Sequence, residues 1–320
     1  MLRLVSAVLL FLALPLAAAW HQHDGEAMGT RIHVELWHEQ PQVAQAAIAA
    51  VIAEMVRIDQ LMSPWIASSE LARINREASN GWMAISPEMS ALLARSLAFS
   101  RLSDGAFDIT FASAGFLYDY RAAQRPDAAA LQQATSRIDW HQVQLDAANA
   151  RLRFGQPGVV IDLGGIAKGH AVDNAIARLK ALGVAHAMVT AGGDTRLIGD
   201  RRGRPWLVAV KDPRADDKEA VVLPLADVAI STSGDYERYF VAEDGTRYHH
   251  ILNPKTGDSA RAVQSVTVIG PDATTTDGFS TTVFVLGVER GLALINQHPE
   301  VDALIIDAAH KLHLSNGLTP

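Results

Sequence analysis

Residues 158–173 read GVVIDLGGIAKGHAVD, and the rest of the chain can be interpreted outward from this stretch. The apolar residues 159–161 predict a strand, and a helix is predicted to open near Gly169. A strand that runs through glycines into a helix N-terminus directs unpaired backbone N–H groups at whatever lies above the turn. Lys168 adds a positive charge at the same place, so the predicted guest is an anion such as a nucleotide pyrophosphate. Asp162 suits a metal or a ribose hydroxyl.

Two familiar phosphate-binding motifs are absent from this stretch. The P-loop requires GxxxxGK[ST], but here Lys168 precedes Gly169 and His170 follows. The dinucleotide fingerprint requires GxGxxG, and the glycines instead fall at 164, 165 and 169. A tight turn whose glycines serve only close packing therefore remains the alternative to a phosphate site.

The N-terminus, residues 1–19, predicts a secretory signal peptide. Arg3 precedes an apolar run that ends at Leu16, and three alanines, 17–19, offer an A-x-A cleavage site. We therefore expect a periplasmic protein whose mature chain, 20–320, forms a single domain. The alternative is an uncleaved segment that anchors the protein to the inner membrane. There is no cysteine, which excludes a lipid-modified cysteine and any disulfide.

The amino-acid composition and net charge limit the kinds of molecule that the protein is expected to bind. The chain has 320 residues and a net charge of −7, with acids and bases mixed along it, which argues against nucleic acid. No segment after the leader is expected to span a bilayer, so membrane proximity would come only through a partner.

Hydrophobic periodicity predicts a chain with both strands and helices, and its short antiparallel segments argue against a purely doubly wound topology. Alternating Ile32, Val34 and Leu36 predict a strand with one buried face, and a helix is predicted from Pro41 to about Leu61. A hairpin (143–145 with 152–154) and antiparallel strands over 206–230 are also predicted. Strand 187–189 leads into a second glycine pair and Asp194. If it were a parallel neighbour of strand 159–161, both glycine turns would share one sheet edge.

Two later segments contain candidate residues for proton transfer and for metal binding. His249 and His250 are adjacent, so on a strand they point to opposite faces and at most one faces a site, where it can transfer protons. A structural or surface histidine is the alternative. A helix is predicted to begin at Asp277, which would share a face with Thr281 and offer two oxygens to a hard cation. The alternative there is an N-terminal aspartate that stabilises the helix beside a threonine bonded to its backbone.

Eight motifs together resemble the FAD:protein FMN transferase (ApbE) family, in that family's order and over nearly all of the chain after the leader. They are MGT (28–30), MSPWIASSEL (62–71), GAFDIT (105–110), IDLGGIAKGHAVD (161–173), AGGD (191–194), ISTSGDYERYF (230–240), HHILNPKTG (249–257) and TDGFSTTVFVLG (276–287). The resemblance implies an ApbE-like α+β fold, with mixed or antiparallel sheets flanked by helices, and an exported enzyme. Such an enzyme transfers FMN from FAD, with Mg²⁺, to a threonine of an exported acceptor flavoprotein through a phosphoester and releases AMP.

The resemblance also implies roles for single residues. His250 matches a histidine proposed to assist transfer, and Mg²⁺ would be held by the side chains of Asp277 and Thr281 and the carbonyl of Gly165. The positions that contact FAD in the family are Met28, Trp65, Leu117, Tyr118, Asp119, Asp162, Lys168 and Ile251. We expect Trp65 and Tyr118 to supply aromatic surface for the flat rings.

This sequence departs from the family pattern at three positions. Trp65 stands where tyrosine is usual, Asn253 where aspartate is usual, and Ser280 where some members carry another acid. Because two charges are lost, we expect weak Mg²⁺ binding to the protein alone. The sequence is also compatible with two alternative functions. One is hydrolysis of FAD to FMN and AMP, and the other is non-catalytic flavin binding in the maturation of a respiratory enzyme.

Overall fold

The structure is a computed structural model that describes residues 19–215 and 217–319. Over these residues the helices are α1 (Pro41–Met62), α2 (Glu70–Glu77), α3 (Pro87–Leu102), α4 (Ala112–Gly115), α5 (Ala128–Thr135), α6 (Ala167–Ala181), α7 (Ala273–Leu286) and α8 (Val288–Ile295). The strands are β1 (Ala19–Ala27), β2 (Thr30–His38), β3 (Met83–Ala84), β4 (Val143–Asp146), β5 (Arg151–Phe154), β6 (Ala187–Ala191), β7 (Asp194–Ile198), β8 (Trp206–Lys211), β9 (Glu219–Leu225), β10 (Ala229–Gly234), β11 (Tyr239–Val241), β12 (Arg247–His249), β13 (Val263–Gly270), β14 (Asp302–Asp307) and β15 (Leu312–Leu314). The predicted signal peptide lies outside the described residues, apart from Ala19.

An eight-stranded sheet in the order β1-β2-β6-β7-β10-β13-β14-β15 forms the centre of the fold. Every neighbouring pair in it is antiparallel. Helices α1, α6 and α7 pack side by side, and α7 lies on β10 and β13. The α+β class with antiparallel sheets is confirmed. The parallel pair considered for strand 187–189 is wrong, because β6 runs antiparallel to both of its neighbours, β2 and β7.

Local sequence patterns explain strand β2 and the longest helix. Ile32, Val34 and Leu36 are buried on one face of β2, as their alternation predicts. Helix α1 is long and apolar enough to cross a membrane by length and composition, contrary to our expectation from sequence. Its apolar stripe, which includes Val51 and Met55, is fully buried, so α1 is a core helix of this domain.

Residues 159–161 do not form the predicted strand. The side chain of Asn75 accepts a hydrogen bond from the N–H of Ile161 at 2.8 Å and donates one to its carbonyl at 2.9 Å. The N–H of Asp162 donates to the carbonyl of Ile109 at 3.0 Å. A side chain and a neighbouring loop thus satisfy the backbone groups that a sheet would otherwise pair.

Both helices that flank the candidate site begin earlier than predicted. Helix α6 begins at Ala167, two residues before Gly169. Helix α7 begins at Ala273, where the carboxylate of Asp272 caps it by accepting from the N–H of Thr275 at 2.9 Å. Asp277 therefore lies in the second turn, and the alternative that it stabilises its own helix N-terminus is excluded.

Candidate active site

The site is built where the first turn of α6 meets α7. A Cβ at Gly169 would lie 2.2 Å from the carbonyl oxygen of Ala273, so glycine is required for this close approach. Asp277 Oδ2 accepts a hydrogen bond from the N–H of Gly169 at 3.0 Å. One of the N–H groups expected to await an external anion is thus capped by a carboxylate of the protein itself.

Lys168 lies between two buried carboxylates. Its Nζ is 3.0 Å from Asp194 Oδ2 and 3.6 Å from Asp277 Oδ2, and it donates to the carbonyl of Gly164 at 2.9 Å. Burial alone would lower the pKa of Lys168, but the charges of Asp194 and Asp277 outweigh burial and raise it. Burial, followed by the charge of Asp194, raises the pKa of Asp277. The site therefore holds a stable ammonium group against two acids.

The residues predicted to hold a metal lie together. Asp277 and Thr281 share a face of α7, and a Cβ at Gly165 would be 3.1 Å from Thr281 Oγ1. Thr281 Oγ1 is 3.4 Å from Ser233 Oγ, which is also 2.9 Å from Ser280 Oγ. Among the described residues no three His, Cys, Asp or Glu side chains form a metal cluster. These groups supply oxygen donors of the type that hard cations prefer, and the Lys168 ammonium lies 3.6 Å from one of them, Asp277 Oδ2.

His249 is the last residue of β12 and its side chain is buried, whereas His250 lies directly after the strand. His249 Nε2 donates to the carbonyl of Ala260 at 2.7 Å. The Nδ1 atom of His250 is buried and has no hydrogen-bond partner in the described part of the chain. Burial, together with the charges of Arg238, His249 and Lys168, lowers the pKa of His250 to about 3. His250 is therefore a neutral imidazole with a free ring nitrogen.

Arg238 is a site residue that sequence analysis did not select. Its Nη2 donates to the carbonyl of Gly29 at 3.2 Å, and its backbone carbonyl accepts from the N–H of His250 at 3.2 Å. Burial raises the pKa of Asp162, and the charges of Arg238 and Lys168 oppose that shift. The Arg238 side chain thus connects the turn at Gly29 with Asp162, which is predicted to contact the nucleotide. Its position in ISTSGDYERYF was the available signal.

The exposed aromatic surface is formed by Trp65 and Phe116, not by Trp65 and Tyr118. Trp65 is 73% exposed, and its ring centroid lies 4.8 Å from that of Phe116. Tyr118 is buried, stacks on Tyr120 with a centroid distance of 5.7 Å, and donates its hydroxyl to the carbonyl of Gly257 at 3.0 Å. The expectation that the Tyr118 ring faces a flat ligand is therefore wrong, because the protein core already uses that ring.

The other residues predicted to contact FAD differ in the exposure and packing of their side chains. Met28 is partly buried in a turn with φ of 54°, Leu117 is 44% exposed, and the side chain of Ile251 packs in the core. Asp119 accepts hydrogen bonds from two N–H groups of its own loop. The hydroxyl of Tyr120 donates to the carbonyl of His249 at 3.3 Å, which joins this loop to the histidine strand.

Lys168, Asp194 and Asp277 thus meet at the N-terminal turn of α6, in a fold built on an eight-stranded antiparallel sheet. The ApbE family model matches residues 28–305. A relative from Treponema pallidum, named FAD:protein FMN transferase, is 33% identical over 91% of this chain and 85% of its own. The chain therefore belongs to the ApbE family, and the enzyme is a transferase.

Solved structures agree with this assignment. The crystal structure of the ApbE protein from Thermotoga maritima superposes with a TM-score of 0.84 at 35% identity, covering 93% of this chain and 98% of that one. The flavin transferase ApbE from Vibrio cholerae superposes with a TM-score of 0.83 at 28% identity, covering 94% of this chain and 98% of its own.

Proposed function

We propose that this protein transfers FMN from FAD to a threonine of an acceptor flavoprotein through a phosphoester bond, with Mg²⁺ and release of AMP. The observation that carries the proposal is Lys168, in the first turn of α6, held between Asp194 and Asp277. The names of the relatives from Treponema pallidum and Vibrio cholerae support flavin transfer from FAD to a protein.

The proposed chemistry uses residues on both sides of the pyrophosphate. Lys168 and Arg238 bind its anionic oxygens, and neutral His250 accepts the proton of the threonine hydroxyl on a ring nitrogen. The threonine oxygen forms a bond to the FMN phosphorus as the bond from that phosphorus to the oxygen of AMP breaks, and AMP carries this oxygen away. Mg²⁺, bound by Asp277, Thr281 and the Gly165 carbonyl, would supply charge neutralisation at the pyrophosphate.

We expect the flavin and the acceptor protein to bind on the solvent-exposed side of the site, where Trp65 lies. Trp65 and Phe116 offer an exposed aromatic surface for the isoalloxazine ring. The proposed catalytic domain covers residues 20–320, and the sequence of residues 1–19 supports export to the periplasm, where the acceptor flavoprotein would also be.

The decisive experiment mixes the protein with FAD, Mg²⁺ and an exported flavoprotein domain that carries a threonine acceptor motif. A fluorescent acceptor band on a denaturing gel, with AMP released in equal amount, is the expected result, and a Thr→Ala acceptor should stay dark. A dark wild-type acceptor with AMP still formed would replace transfer by FAD hydrolysis. Absence of AMP under all conditions would leave only non-catalytic flavin binding.

A further inference from the structure

A cavity of about 140 Å³ lies outside the proposed active site and is lined by three arginines. They are Arg214 in the loop between β8 and β9, Arg247 at the start of β12 and Arg261 in the loop before β13, and we call this cavity the arginine recess. One water molecule needs roughly 10 to 15 Å³ of such space, so a group of several heavy atoms fits. The side chains of Arg214 and Arg261 are 35% and 44% exposed, so the recess is open to solvent.

Arg214 is held in place by a buried carboxylate. Asp235 is buried, and its two carboxylate oxygens accept hydrogen bonds from Nη1 and Nη2 of Arg214 at 2.7 Å and 2.6 Å. This bidentate geometry orients the guanidinium and neutralises its charge. Among the described residues that line the recess, Asp235 is the only one with a carboxylate, so the lining holds no second acid for the other two arginines.

Arg247 and Arg261 keep most of their hydrogen-bond donors unpaired within the described chain. Arg247 donates one long hydrogen bond, of 3.4 Å, to the carbonyl of Asp235, its guanidinium lies 3.8 Å from the ring centroid of Tyr239, and it forms no ion pair with a described residue. Arg261 donates to the carbonyl of Arg247 at 3.0 Å and to Asp258, which does not line the recess, at 3.3 Å. Each guanidinium carries five N–H donors, so both are positioned and still able to bind an anion.

The other polar side chains of the lining already have partners. Nε2 of His249 donates to the carbonyl of Ala260 at 2.7 Å, and its Nδ1 accepts from the N–H of Ile251 at 3.3 Å. Burial lowers the pKa of His249, so the ring is neutral. Nε2 of Gln264 donates to the carbonyl of Ala308 at 3.0 Å. The recess therefore offers a ligand guanidinium N–H groups, with three positive charges against one negative charge.

We propose that the arginine recess binds a phosphate dianion, either inorganic phosphate or the terminal phosphate of a monoester. The excess of positive charge matches the charge of about −1.5 to −2 that a phosphate monoester carries at pH 7. A carboxylate carries one negative charge and would leave one arginine uncompensated. Guanidinium groups also present their donors in a geometry that phosphate oxygens accept. The site is independent of the proposed FMN transfer, because neither Lys168 nor His250 lines it.

Calorimetric titration of the protein with inorganic phosphate, at about pH 7.5 and constant ionic strength with chloride as the balancing anion, tests the site. We expect R247Q to weaken phosphate binding at least about tenfold, the effect of losing one charge-assisted hydrogen bond. R153Q is the matched control and should bind phosphate like the wild type. The Arg153 guanidinium also lies over an aromatic ring, 4.9 Å from the centroid of Trp82, and forms no ion pair with a described residue.

Equal affinity of R247Q and the wild type would overturn the proposal, because phosphate would then bind elsewhere. Acetate that binds the wild type as tightly as phosphate does would overturn the assignment to a dianion. An R247Q-sensitive affinity for AMP that exceeds the affinity for inorganic phosphate would identify a monoester as the ligand, and a lower one would identify the free ion.

A second measurement does not depend on the folding of R247Q. In wild-type protein labelled with ¹⁵N-arginine, phosphate should shift the side-chain Nε–H signal of Arg247 and leave that of Arg153 in place, with the signals assigned from R247K and R153K. An Arg247 signal that stays unchanged at saturating phosphate would contradict binding in the recess.

Discussion

Lys168 acts as a cation built into a site that is proposed to bind a second cation. It contacts Asp194 and lies 3.6 Å from Asp277, so the two buried acids are compensated before any ligand arrives. Without such compensation a buried carboxylate would be costly. Lys168 also donates to the carbonyl of Gly164, which fixes its ammonium group beside the glycine turn.

Replacing Asp277 by Asn tests its charge separately from its capping role. The amide oxygen can still accept from the Gly169 N–H, so we expect the fold to survive. Loss of one ligand charge should lower FMN transfer by about 100-fold or more, a typical cost of removing one electrostatic contact in a transition state. Transfer would be followed by gel fluorescence and folding by thermal denaturation.

Asp272→Asn is the matched control for this substitution. Asp272 caps the N-terminus of α7 and lies in the same helical region as Asp277. Because asparagine also caps helices, D272N should lose only the partly exposed ion pair with Arg95, at most about 1 kcal/mol, and keep its turnover per folded molecule. A D277N protein as active as D272N would refute the metal assignment.

Arg238 is expected to act on both the pyrophosphate and His250. R238Q should lower kcat/KM for FAD by about 10- to 100-fold, the cost of one charge-assisted hydrogen bond. R238K should recover part of this loss. A value of kcat/KM for R238Q equal to that of the wild type would mean that Arg238 only stabilises the turn at Gly29.

The pH behaviour of His250 follows from its lowered pKa of about 3. NMR of histidine-labelled protein, assigned with H250Q, should show no titration of His250 above about pH 5. Burial, Arg238, His249 and Lys168 all lower this pKa, so R238Q should raise it. Because the unfolded histidine takes up a proton below about pH 6.5 and the folded one does not, His250 costs stability as the pH falls below that value.

At the scale of elements, Asn75 replaces a sheet neighbour for the segment before α6. Its two hydrogen bonds fix Ile161, four residues before the Gly165 carbonyl assigned to the metal. N75A leaves both backbone groups of Ile161 unpaired, and we expect a loss of about 2 to 3 kcal/mol in the free energy of unfolding. Weaker FAD binding should accompany it, measured by equilibrium fluorescence. N149A, which alters an exposed turn, is the control, and equal effects of the two would contradict this role.

Glu88 of α3 connects α1 to α6. It accepts two hydrogen bonds of 2.7 Å from Arg57, and it lies 2.9 Å from Nε2 of His170 in the second turn of α6. These contacts, that of Arg57 first, lower the pKa of Glu88 to about 2. The network therefore holds the helix whose first turn carries Lys168.

E88Q should lower the free energy of unfolding by about 1 kcal/mol at neutral pH, because the ion pair is partly exposed. A lowered carboxyl pKa stabilises the fold above the unfolded value of about 4.3, and that contribution disappears as the pH falls toward 2. Urea titrations should thus show the gap between E88Q and wild type closing from about pH 4 downward. E77Q, in an exposed pair with Arg73, should show little change at any pH; a constant gap for E88Q would exclude the ion pair as its cause.

Patterns among residues near in sequence predicted several of the helices and strands. Contacts between residues farther apart in sequence determined the features that were predicted wrongly. The alternation in β2 and the start of α1 at Pro41 could be predicted because they depend on residues near in sequence. The strand assigned to 159–161 was wrong because Asn75, far away in sequence, supplies its hydrogen bonds. Asp277 was misplaced at a helix start because Asp272, five residues earlier, is the actual cap.

For the molecule as a whole, the strands of the main sheet are arranged in chain order from β1 to β15. The active site gathers residues from β7, α6 and α7 and from the loops between strands, so no single segment contains it. Family motifs predicted Lys168 and Asp277, but not that Asp194 would compensate Lys168 directly. Such pairings between distant segments require coordinates, since neither residue alone departs from an ordinary turn or helix pattern.

Ligand linkage tests the proposed site in the intact protein. Mg²⁺ alone must compete with the Lys168 ammonium at Asp277, so we expect it to bind weakly and hardly raise the melting temperature. FAD adds pyrophosphate oxygens that Mg²⁺ prefers and gives Lys168 a new anionic partner. FAD and Mg²⁺ together should therefore raise stability by more than the sum of their separate effects, with about 2.7 kcal/mol expected at a ligand concentration of 100 times Kd. D277N should lose the Mg²⁺-dependent part and keep the part due to FAD. Tight calorimetric binding of Mg²⁺ to the protein without FAD would contradict this account, because it would mean that Lys168 does not occupy the cation position in solution.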